Sequence, residues 1–504
     1  MKHIFSTLFC LFSVSLAFTQ DLTDAIRYSN TETQGTARFK SMAGAFGALG
    51  GDISGVSINP AGAAIFNTSQ GALTASNINT SNDVTYGNTM TNKTDSNFDL
   101  NQIGAAFVFK NNNNNSRWKK FVVSLFYEKL EDYNTQFIAT GTTNSSISSY
   151  FLDNANGLRL GNIRQLDGES VTQAYLEIGA NYGYRHQQAF LGFESGILEP
   201  IDINDNNNIA YTSNTGIGNF LQEYNYESQG YNGKFSVNVA GQFNDNIHLG
   251  LNINSHFVDF SNKSFFIEEN NNNGATVNVV NFENQLFTKG EGFSLQLGGI
   301  VKLTDGLRAG FSYATPTWLT LREETAQYIT TLNTSNNQRY TVNPSTVVVF
   351  PDYKLRTPSE ISGSLAYIFN KSGLISFDYS RINYAGTSYN TRNDQLDNSL
   401  NTQINNTLKV ANTYRVGAEY RHNNMSFRGG YKLQESPYKN TSLLGDLKGY
   451  SLGFGYNFGN TRLDLAYENF KQDVSQNLYS NGNLNNALLN TTNSVYTLSL
   501  NVNL

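Results

Sequence analysis

Histidines are the side chains of this sequence best suited to acid–base or metal chemistry, and four lie beyond the first twenty residues: His186, His248, His256 and His422. His248 and His256 share one face of a predicted strand. Eight residues at strand rise separate them by roughly 26 Å, so they cannot bind one metal ion. Neither belongs to a serine motif that would pair a nucleophile with a base. We predict no catalytic residue, no metal site and no cofactor, and interpret these histidines as interior polar side chains; a haem ligand from a lone His or Tyr stays open.

A glycine-rich stretch is the second candidate for chemistry, because such loops can cradle phosphate. Residues 41–64 read SMAGAFGALGGDISGVSINPAGAA. No Gly-Lys-Ser/Thr follows, and no strand–loop–helix pattern surrounds the stretch, which argues against nucleotide binding. The net charge of −6 and the lack of a basic patch argue against nucleic acid. A loose linker is the plain alternative for this segment.

The elements that carry the remaining polar residues are β-strands. Apolar and polar residues alternate strictly in 246–254 (NIHLGLNIN), 450–458 (YSLGFGYNF) and 495–504 (VYTLSLNVNL), which predicts strands with one apolar and one polar face. Tight turns rich in Asn, Asp and Gly join the strands in pairs at 244–246, 304–306, 370–373, 422–424 and 459–460, with a looser one at 111–115. Long polar loops such as 388–406 and 471–492 separate the pairs. Short turns at one end and long loops at the other are typical of an outer-membrane barrel.

The polar faces carry charges that a barrel can point into its lumen: Arg308, Asp378, Arg415, Glu419, Arg428, Arg462, Asp464 and Glu468. Six turns give twelve strands, and one more at each end gives a fourteen-strand antiparallel β-barrel. The predicted strands are 70–80, 97–110, 117–131, 231–243, 246–260, 289–303, 306–321, 357–369, 372–384, 409–422, 425–436, 446–458, 461–471 and 493–504. A sixteen-strand alternative would use 171–199 as a seventh hairpin. We place that segment in a long extracellular loop, 132–230, with partly helical pieces such as 146–158.

The first twenty residues have the pattern of a secretory signal peptide, with a positive start and a short apolar core. The one cysteine, Cys10, lies in that core, so the exported chain folds without disulfides. No later stretch approaches eighteen apolar residues, so we predict no transmembrane helix. These features predict a protein of the outer membrane of a Gram-negative bacterium.

The segment before the first strand resembles the FadL family of outer-membrane transporters for long-chain fatty acids and other hydrophobic molecules. The resemblance lies in Ala37-Arg38, in SMAGAFGALGGD (41–52) and in SINPAG (57–62), and it is closest to members from Bacteroidetes. TPSEISGSLAYIF (357–369) and FRGGYKLQESPY (427–438) also match, and the barrel pattern extends the resemblance over nearly all of 21–504. The resemblance implies that 21–66 form an N-terminal hatch that plugs the lumen, with 67–504 as the barrel. Its motif residues are Gly44, Gly47, Gly50, Gly51, Asn59, Pro60, Ala61 and Gly62.

The same resemblance implies passive uptake of a hydrophobic small molecule, which passes from an extracellular groove to a pocket beside the hatch and leaves sideways through the wall. The implied pocket residues are Phe39, Met42, Phe46, Leu49, Ile53 and Ile58; ordinary packing of the plug is their alternative role. The implied groove residues are Phe151, Leu152, Leu158, Tyr175, Leu176, Phe190 and Phe193. Asp24, Arg27, Arg38 and Asp52 are expected to pair with lumen charges.

Two other functions compete with uptake. Some FadL-like barrels of Bacteroidetes shuttle or anchor cargo in protein secretion, and the asparagine-rich loops could contact a protein. A barrel lipase is the enzymatic alternative, which the isolated histidines argue against. The expected partners are outer-membrane lipid, the hydrophobic ligand and the barrel-assembly machinery, and the expected state is a monomer. The chain ends in Leu504 where such barrels commonly end in an aromatic residue, which weakens the assembly signal.

Overall fold

The computed structural model describes residues 22–30, 32, 34–113, 115–370, 372–479 and 482–504. The predicted signal peptide, residues 1–20, lies outside these residues. The described helices are α1 Leu22–Arg27, α2 Ala37–Lys40, α3 Gly55–Ile58, α4 Ser148–Ala155, α5 Val171–Tyr182, α6 Tyr184–Glu194 and α7 Asp394–Thr407, with short 3-10 turns at Pro60–Ile65, Leu160–Asn162 and Tyr384–Gly386. No helix in these ranges is long and apolar enough to cross a membrane.

The strands are β1 Gln70–Tyr86, β2 Thr89–Lys110, β3 Trp118–Asp132, β4 Thr135–Thr143, β5 Leu198–Pro200, β6 Tyr211–Ser213, β7 Phe220–Phe243, β8 Ile247–Glu269, β9 Val279–Lys302, β10 Leu307–Ala314, β11 Trp318–Asn333, β12 Gln338–Val342, β13 Val348–Val349, β14 Tyr353–Arg356, β15 Glu360–Phe369, β16 Gly373–Asn383, β17 Ser388–Asn390, β18 Val410–His422, β19 Met425–Gln434, β20 Leu447–Asn457, β21 Thr461–Gln476 and β22 Ala487–Asn503. Four strands of the barrel are each divided into two consecutive pieces: β4 continues β3, β11 continues β10, β15 continues β14 and β17 continues β16.

All of these strands except β5 and β6, which pair only with each other, form one closed antiparallel barrel of fourteen strands. Each strand pairs with its neighbours in chain order, and β1 closes the ring by pairing with β22 from Gln70–Asn503 to Thr85–Leu488. The fourteen-strand prediction is therefore confirmed. The sixteen-strand alternative is wrong, because 171–194 fold as α5 and α6. Ser170 stabilises the start of α5 through a capping box with Gln173.

The outer surface of the barrel is apolar, and its lumen is polar. Exposed side chains such as Leu73, Leu125 and Leu297 point outward, whereas Ser76, Asn238 and Asp378 are buried inside. Aromatic side chains form two bands on the outer surface. One lies near the short turns (Trp118, Phe369, Tyr420) and the other lies higher on the wall (Tyr431, Tyr450, Tyr496). Two aromatic bands around an apolar belt are the surface of a barrel that spans the outer membrane.

Several strands are longer than predicted at the extracellular end. β2 begins at Thr89 rather than 97, β7 at Phe220 rather than 231, and β8 continues to Glu269 rather than 260. Because 135–143 pair with 220–228, the long loop is 144–219 and not 132–230. The prediction at 306–321 also needs correction, since Thr315–Thr317, with Pro316, divide that strand into β10 and β11. The predicted loop 388–406 contains β17 and most of α7.

Candidate functional site

The N-terminal segment, residues 34–66, lies inside the ring of strands. Its backbone amides and carbonyls form hydrogen bonds with lumen side chains of widely separated strands. The Ala37 amide donates to Ser499 Oγ of β22 (2.6 Å), and the Gly47 amide to Asp378 Oδ2 of β16 (2.8 Å). On another side, Asn252 Nδ2 of β8 donates to the carbonyl of Val56 (2.9 Å). Wall side chains thus satisfy the backbone groups that the segment cannot satisfy by itself.

Asn59 fixes the turn that ends this segment. Its Oδ1 accepts from the amide of Ala61 (3.1 Å), the local bond expected for an Asn-Pro turn. Its Nδ2 donates to the carbonyl of Gly47 (2.7 Å) within the segment and to that of Gly299 (3.1 Å) in β9. Pro60 then starts the 3-10 turn that ends at Ile65. The Asn-Pro-Ala triplet therefore joins two parts of the segment to the wall.

Glycines allow the segment and the wall to approach closely. In the segment, Gly44, Gly50 and Gly51 have positive φ, and Gly62 lies against Gly50. A methyl on Gly47 would collide with Ser364 of β15. The wall contributes six facing glycines, at each of which a Cβ would strike the segment: Gly250, Gly298, Gly310, Gly417, Gly430 and Gly453. We call these six residues the wall glycines.

The predicted pocket residues pack the segment against the wall. Phe39, Met42, Phe46 and Leu49 form one buried cluster with Ala366 and Leu374, and Ile58 is partly buried beside it. Ile53 belongs to a second buried cluster with Ala72 and Phe126. Of the six predicted pocket residues, Phe39 and Ile58 line a cavity of about 170 Å³ in the described part of the chain. The structure thus brings four of the six together, in a packed interface.

Buried ion pairs anchor the first part of the segment. Arg38 Nε lies 3.0 Å from Glu419 Oε2 of β18, and Arg428 binds both Glu419 and Asp464. Lys40 pairs with Glu468 of β21 at 2.9 Å. The expected lumen pairing is therefore found for Arg38, whereas Arg27 and Asp24 pair with each other.

The extracellular end of the lumen is filled by a hydrophobic cluster. α4, α5 and α6 pack against the inner faces of the extended strands, including Tyr224, Phe266 and Phe282. Phe151, Tyr175 and Phe190 of the predicted groove are fully buried in this cluster. Leu152, Leu158 and Phe193 are partly buried against it, and Leu176 is exposed. We call the loop 144–219 with this cluster the extracellular cap.

A cavity of about 340 Å³ lies between the N-terminal segment and the cap. Gln34 and Lys40 of the segment line one side of it together with the preceding Glu32. Its walls are partly apolar, with Ile78, Phe137, Tyr226, Phe260, Phe470 and Leu489. The sequence does not reveal this space, because no single motif encloses it: its lining comes from nine strands of the barrel and from residues that precede the glycine-rich stretch.

The cavity reaches the wall where two strands separate. Among the described residues, β2 pairs with β3 only from Gln102–Glu128 down to Lys110–Lys120. Above that point side chains bridge the strands: Lys129 binds Asp99, Asn97 Nδ2 donates to Asp132 Oδ2 (3.1 Å), and Gln136 Nε2 donates to Asp95 Oδ1 (3.0 Å). We call this stretch the β2–β3 seam. Asp95 and Asn97 on one side, with Asp132 and Thr135 on the other, line the cavity.

The histidines do not form a shared site. His256 Nε2 does contact a serine, Ser294 Oγ, at 2.8 Å, which the sequence motif search missed. Asn254 donates to that same serine (3.1 Å), and in the described part of the chain no third side chain hydrogen-bonds the imidazole to orient it. A nucleophile–base pair needs such an orienting group. This pair is therefore part of the polar lumen network.

Solved structures with the same architecture exist. No protein-family model and no curated protein matches the chain. Its fold is similar to that of a FadL homologue from Pseudomonas aeruginosa, with a TM-score of 0.55, 12% identity, and coverage of 94% of this chain and 99% of that one. It is also similar to the toluene transporter TodX from Pseudomonas putida, with a TM-score of 0.54, 11% identity, and coverage of 94% and 99%. At such identities the likeness concerns the fold, and the chain therefore has the FadL-type fold, a closed fourteen-strand β-barrel of the outer membrane.

Proposed function

We propose that this protein takes up hydrophobic small molecules across the outer membrane by passive movement through the barrel. The observation that carries the proposal is the cavity of about 340 Å³ that ends at the β2–β3 seam. Its volume falls in the range of small-molecule pockets, about 300–1,000 Å³. An apolar molecule gains roughly 0.8 kcal/mol for each CH₂ that leaves water, so it favours such a space over an open aqueous pore. The toluene transporter with this fold supports the same class of cargo.

The proposed exit is the β2–β3 seam. Along most of the described wall a ladder of backbone hydrogen bonds joins neighbouring strands and would have to break for a molecule to cross, as between β3 and β7 or between β1 and β22. At the seam, only side-chain contacts such as Asn97–Asp132 have to separate. A molecule leaving at the lower end of the seam, beside the outward-facing Phe98 and Leu100, would enter the bilayer.

The proposed hatch is the N-terminal segment, which separates the cavity from the periplasmic mouth. Entry from outside requires the extracellular cap to open, because Phe151, Tyr175 and Phe190 are packed and only Leu152, Leu158, Leu176 and Phe193 are partly accessible. Long-chain fatty acids are proposed as one cargo and monoaromatic hydrocarbons as another.

The test is to lock the seam. Cysteines at Asn97 and Asp132, joined by a short thiol cross-linker, should lower uptake of labelled fatty acid and toluene several-fold, and cleavage of the linker should restore it. The matched control joins Ser76 and Thr497, whose hydroxyls already lie 2.6 Å apart across a fully paired part of the wall. Equal uptake by the two cross-linked proteins would refute the seam as the exit. Unchanged uptake after deletion of the whole gene would refute transport itself.

A further inference from the structure

The periplasmic mouth of the barrel carries a group of cations that bind no acid. Lys110 of β2, Lys120 of β3, Lys302 of β9 and Arg308 of β10 lie at the ends of these strands next to the short turns. None of the four forms an ion pair within 4 Å in the described parts of the chain. In contrast, the segment's anchoring arginine, Arg38, is paired.

The strand register places these cations directly opposite one another. Lys110 faces Lys120, and Lys302 faces Arg308. Cross-strand neighbours have Cβ atoms about 5 Å apart, and like charges in that position destabilise a sheet. Two such pairs in one mouth are a cost to the fold unless an anion offsets them.

Contacts with the N-terminal segment show that the cations face the lumen. Lys120 Nζ donates to the carbonyl of Phe66 (2.6 Å), and Arg308 donates to that of Leu49 (2.9 Å). These neutral acceptors leave the positive charge uncompensated. The side chain of Lys302 forms no ion pair within the described residues, and Asp245, in the turn after β7, acts on it from beyond ion-pair distance.

His248 lies between the two pairs. Lys120 is opposite Gln242, and Gln242 is opposite His248, so the three share one row of the wall. His248 is 1% exposed and its imidazole lies beside the backbone of Ile300, while neither its Nδ1 nor Arg308 Nε has a hydrogen-bond partner in the described chain. The charges of Lys302, Lys120 and Arg308 all reach this imidazole. Unused donors and unpaired cations thus meet in one place.

We propose that the periplasmic mouth binds an oxyanion, a phosphate or carboxylate group, through Lys120, His248, Lys302 and Arg308. Oxyanions accept several charge-assisted hydrogen bonds at once, which matches the number of cations and their shared orientation. Two sources carry this chemistry: the headgroup of an anionic phospholipid in the inner leaflet, and the carboxylate of an amphiphile that reaches this end of the barrel.

The first experiment measures thermal unfolding of the full exported chain in zwitterionic detergent, with inorganic phosphate against chloride at equal ionic strength. Phosphate should raise the midpoint of the wild type. Lys302→Gln/Arg308→Gln should need about tenfold more phosphate for half the effect, the loss expected for weakened charged hydrogen bonds. Without phosphate, the loss of the like-charge pair and the loss of the Arg308–Leu49 hydrogen bond act in opposite directions, so each protein is compared with its own phosphate-free midpoint. Lys263→Gln, which removes an exposed lysine of β8, is the matched control.

The second experiment separates the two sources. Vesicles of phosphatidylcholine with phosphatidylglycerol test the lipid headgroup, and phosphatidylcholine with dodecanoate tests the amphiphile carboxylate. Stabilisation by one or both, lost in the double variant, supports the site and identifies the source. An equal response of wild type and double variant overturns the proposal. So does a response to inorganic phosphate alone, which marks an adventitious ion only, or to polyglutamate alone, which marks a protein partner.

Discussion

The wall glycines allow a sharp test of how the N-terminal segment docks. A methyl on Gly430 of β19 would lie 2.5 Å from the carbonyl carbon of Met42 and 2.6 Å from the amide nitrogen of Ala43. Carbon atoms in contact prefer about 3.5–4.0 Å, so the segment has to move by about 1 Å. Both obstacles are backbone atoms, which cannot turn aside as a side chain would. Gly430→Ala should therefore loosen the segment and leave the barrel closed.

The size of the effect follows from the cost of overpacking. Extra methyl groups in a well-packed interior cost about 1–3 kcal/mol, which corresponds to a roughly 5- to 150-fold larger opening equilibrium. Alanine also favours the strand over glycine by about 0.5–1 kcal/mol, but that gain belongs to the wall and not to docking. Gly417→Ala meets the same Met42 backbone, at 2.7 Å from its carbonyl oxygen. One shift relieves both clashes, so the double variant should cost less than the sum of the two.

Thiol labelling measures this opening. The only cysteine is Cys10, within the predicted signal peptide, so Ser41→Cys, a near-isosteric change at a fully buried site, is expected to supply a single reporter in the exported chain. When closing is faster than labelling, the rate of maleimide reaction follows the opening equilibrium. The control is Gly363→Ala, where a methyl meets no atom within 4 Å. Equal labelling of the Gly430→Ala and Gly363→Ala proteins, both with heat-modifiable barrels, would refute the docking described here.

Three further changes test the anchors and the cap. Arg38→Met should make opening of the segment easier by about 3 kcal/mol, the low end for a broken buried ion pair, because Glu419 still pairs with Arg428. Labelling of Ser41→Cys measures this opening, and an unchanged labelling rate would contradict the role of Arg38 as an anchor. Phe190→Ala should cost the cap about 3–5 kcal/mol and speed protease cleavage within 144–219, whereas exposed Leu176→Ala should change little. Burial, with the charge of Arg185, lowers the pKa of His186 in the cap. The folded cap therefore favours the neutral imidazole. The contribution of His186 to the stability of the cap is complete above the ordinary pKa near 6.5 and is lost as the pH falls below that value. Cleavage should rise from pH 7.5 to pH 5, and His186→Asn should remove that part of the dependence.

The barrel itself was predictable, because alternation is a local signal that each strand carries separately. Tyr450 to Phe458 alternate within nine residues, and the turn at 459–460 follows at once. The strand ends were not predictable by the same signal. In β7, Glu223, Asn225 and Glu227 face water above the membrane, which reads as a polar loop. Only the packing of Tyr224 against the cap reveals the strand that continues there.

The site was only partly predictable, for a related reason. The glycine-rich segment and its Asn59 turn were visible, since a short motif contains them. In the alternating pattern, the wall glycines look like any other residue on the polar face of a strand. Nothing near Gly430 in the sequence indicates that Met42 will lie against it. The like-charge pairs are similar: Lys302 and Arg308 are separated by a short turn, but they face each other only in one register. The role of the wall glycines depends on the path of a segment that is distant in sequence, and the like-charge pairs depend on the register in which two strands pair.

The contacts between wall and segment also explain the composition of residues 41–64. Most wall side chains that reach the segment bind its backbone, as Ser499, Asp378 and Asn252 do, so the segment's own side chains contribute little to those bonds. Small residues bring the backbone within reach of the wall, and the wall glycines shorten the distance from the other side. Specific side chains fix the segment at a few points, at Arg38 and Lys40 through their ion pairs and at Asn59 through its three carbonyl contacts and cap. A segment held in this way depends on these side chains and on glycines such as Gly47 and Gly50, and its other small residues are the positions that can change most easily.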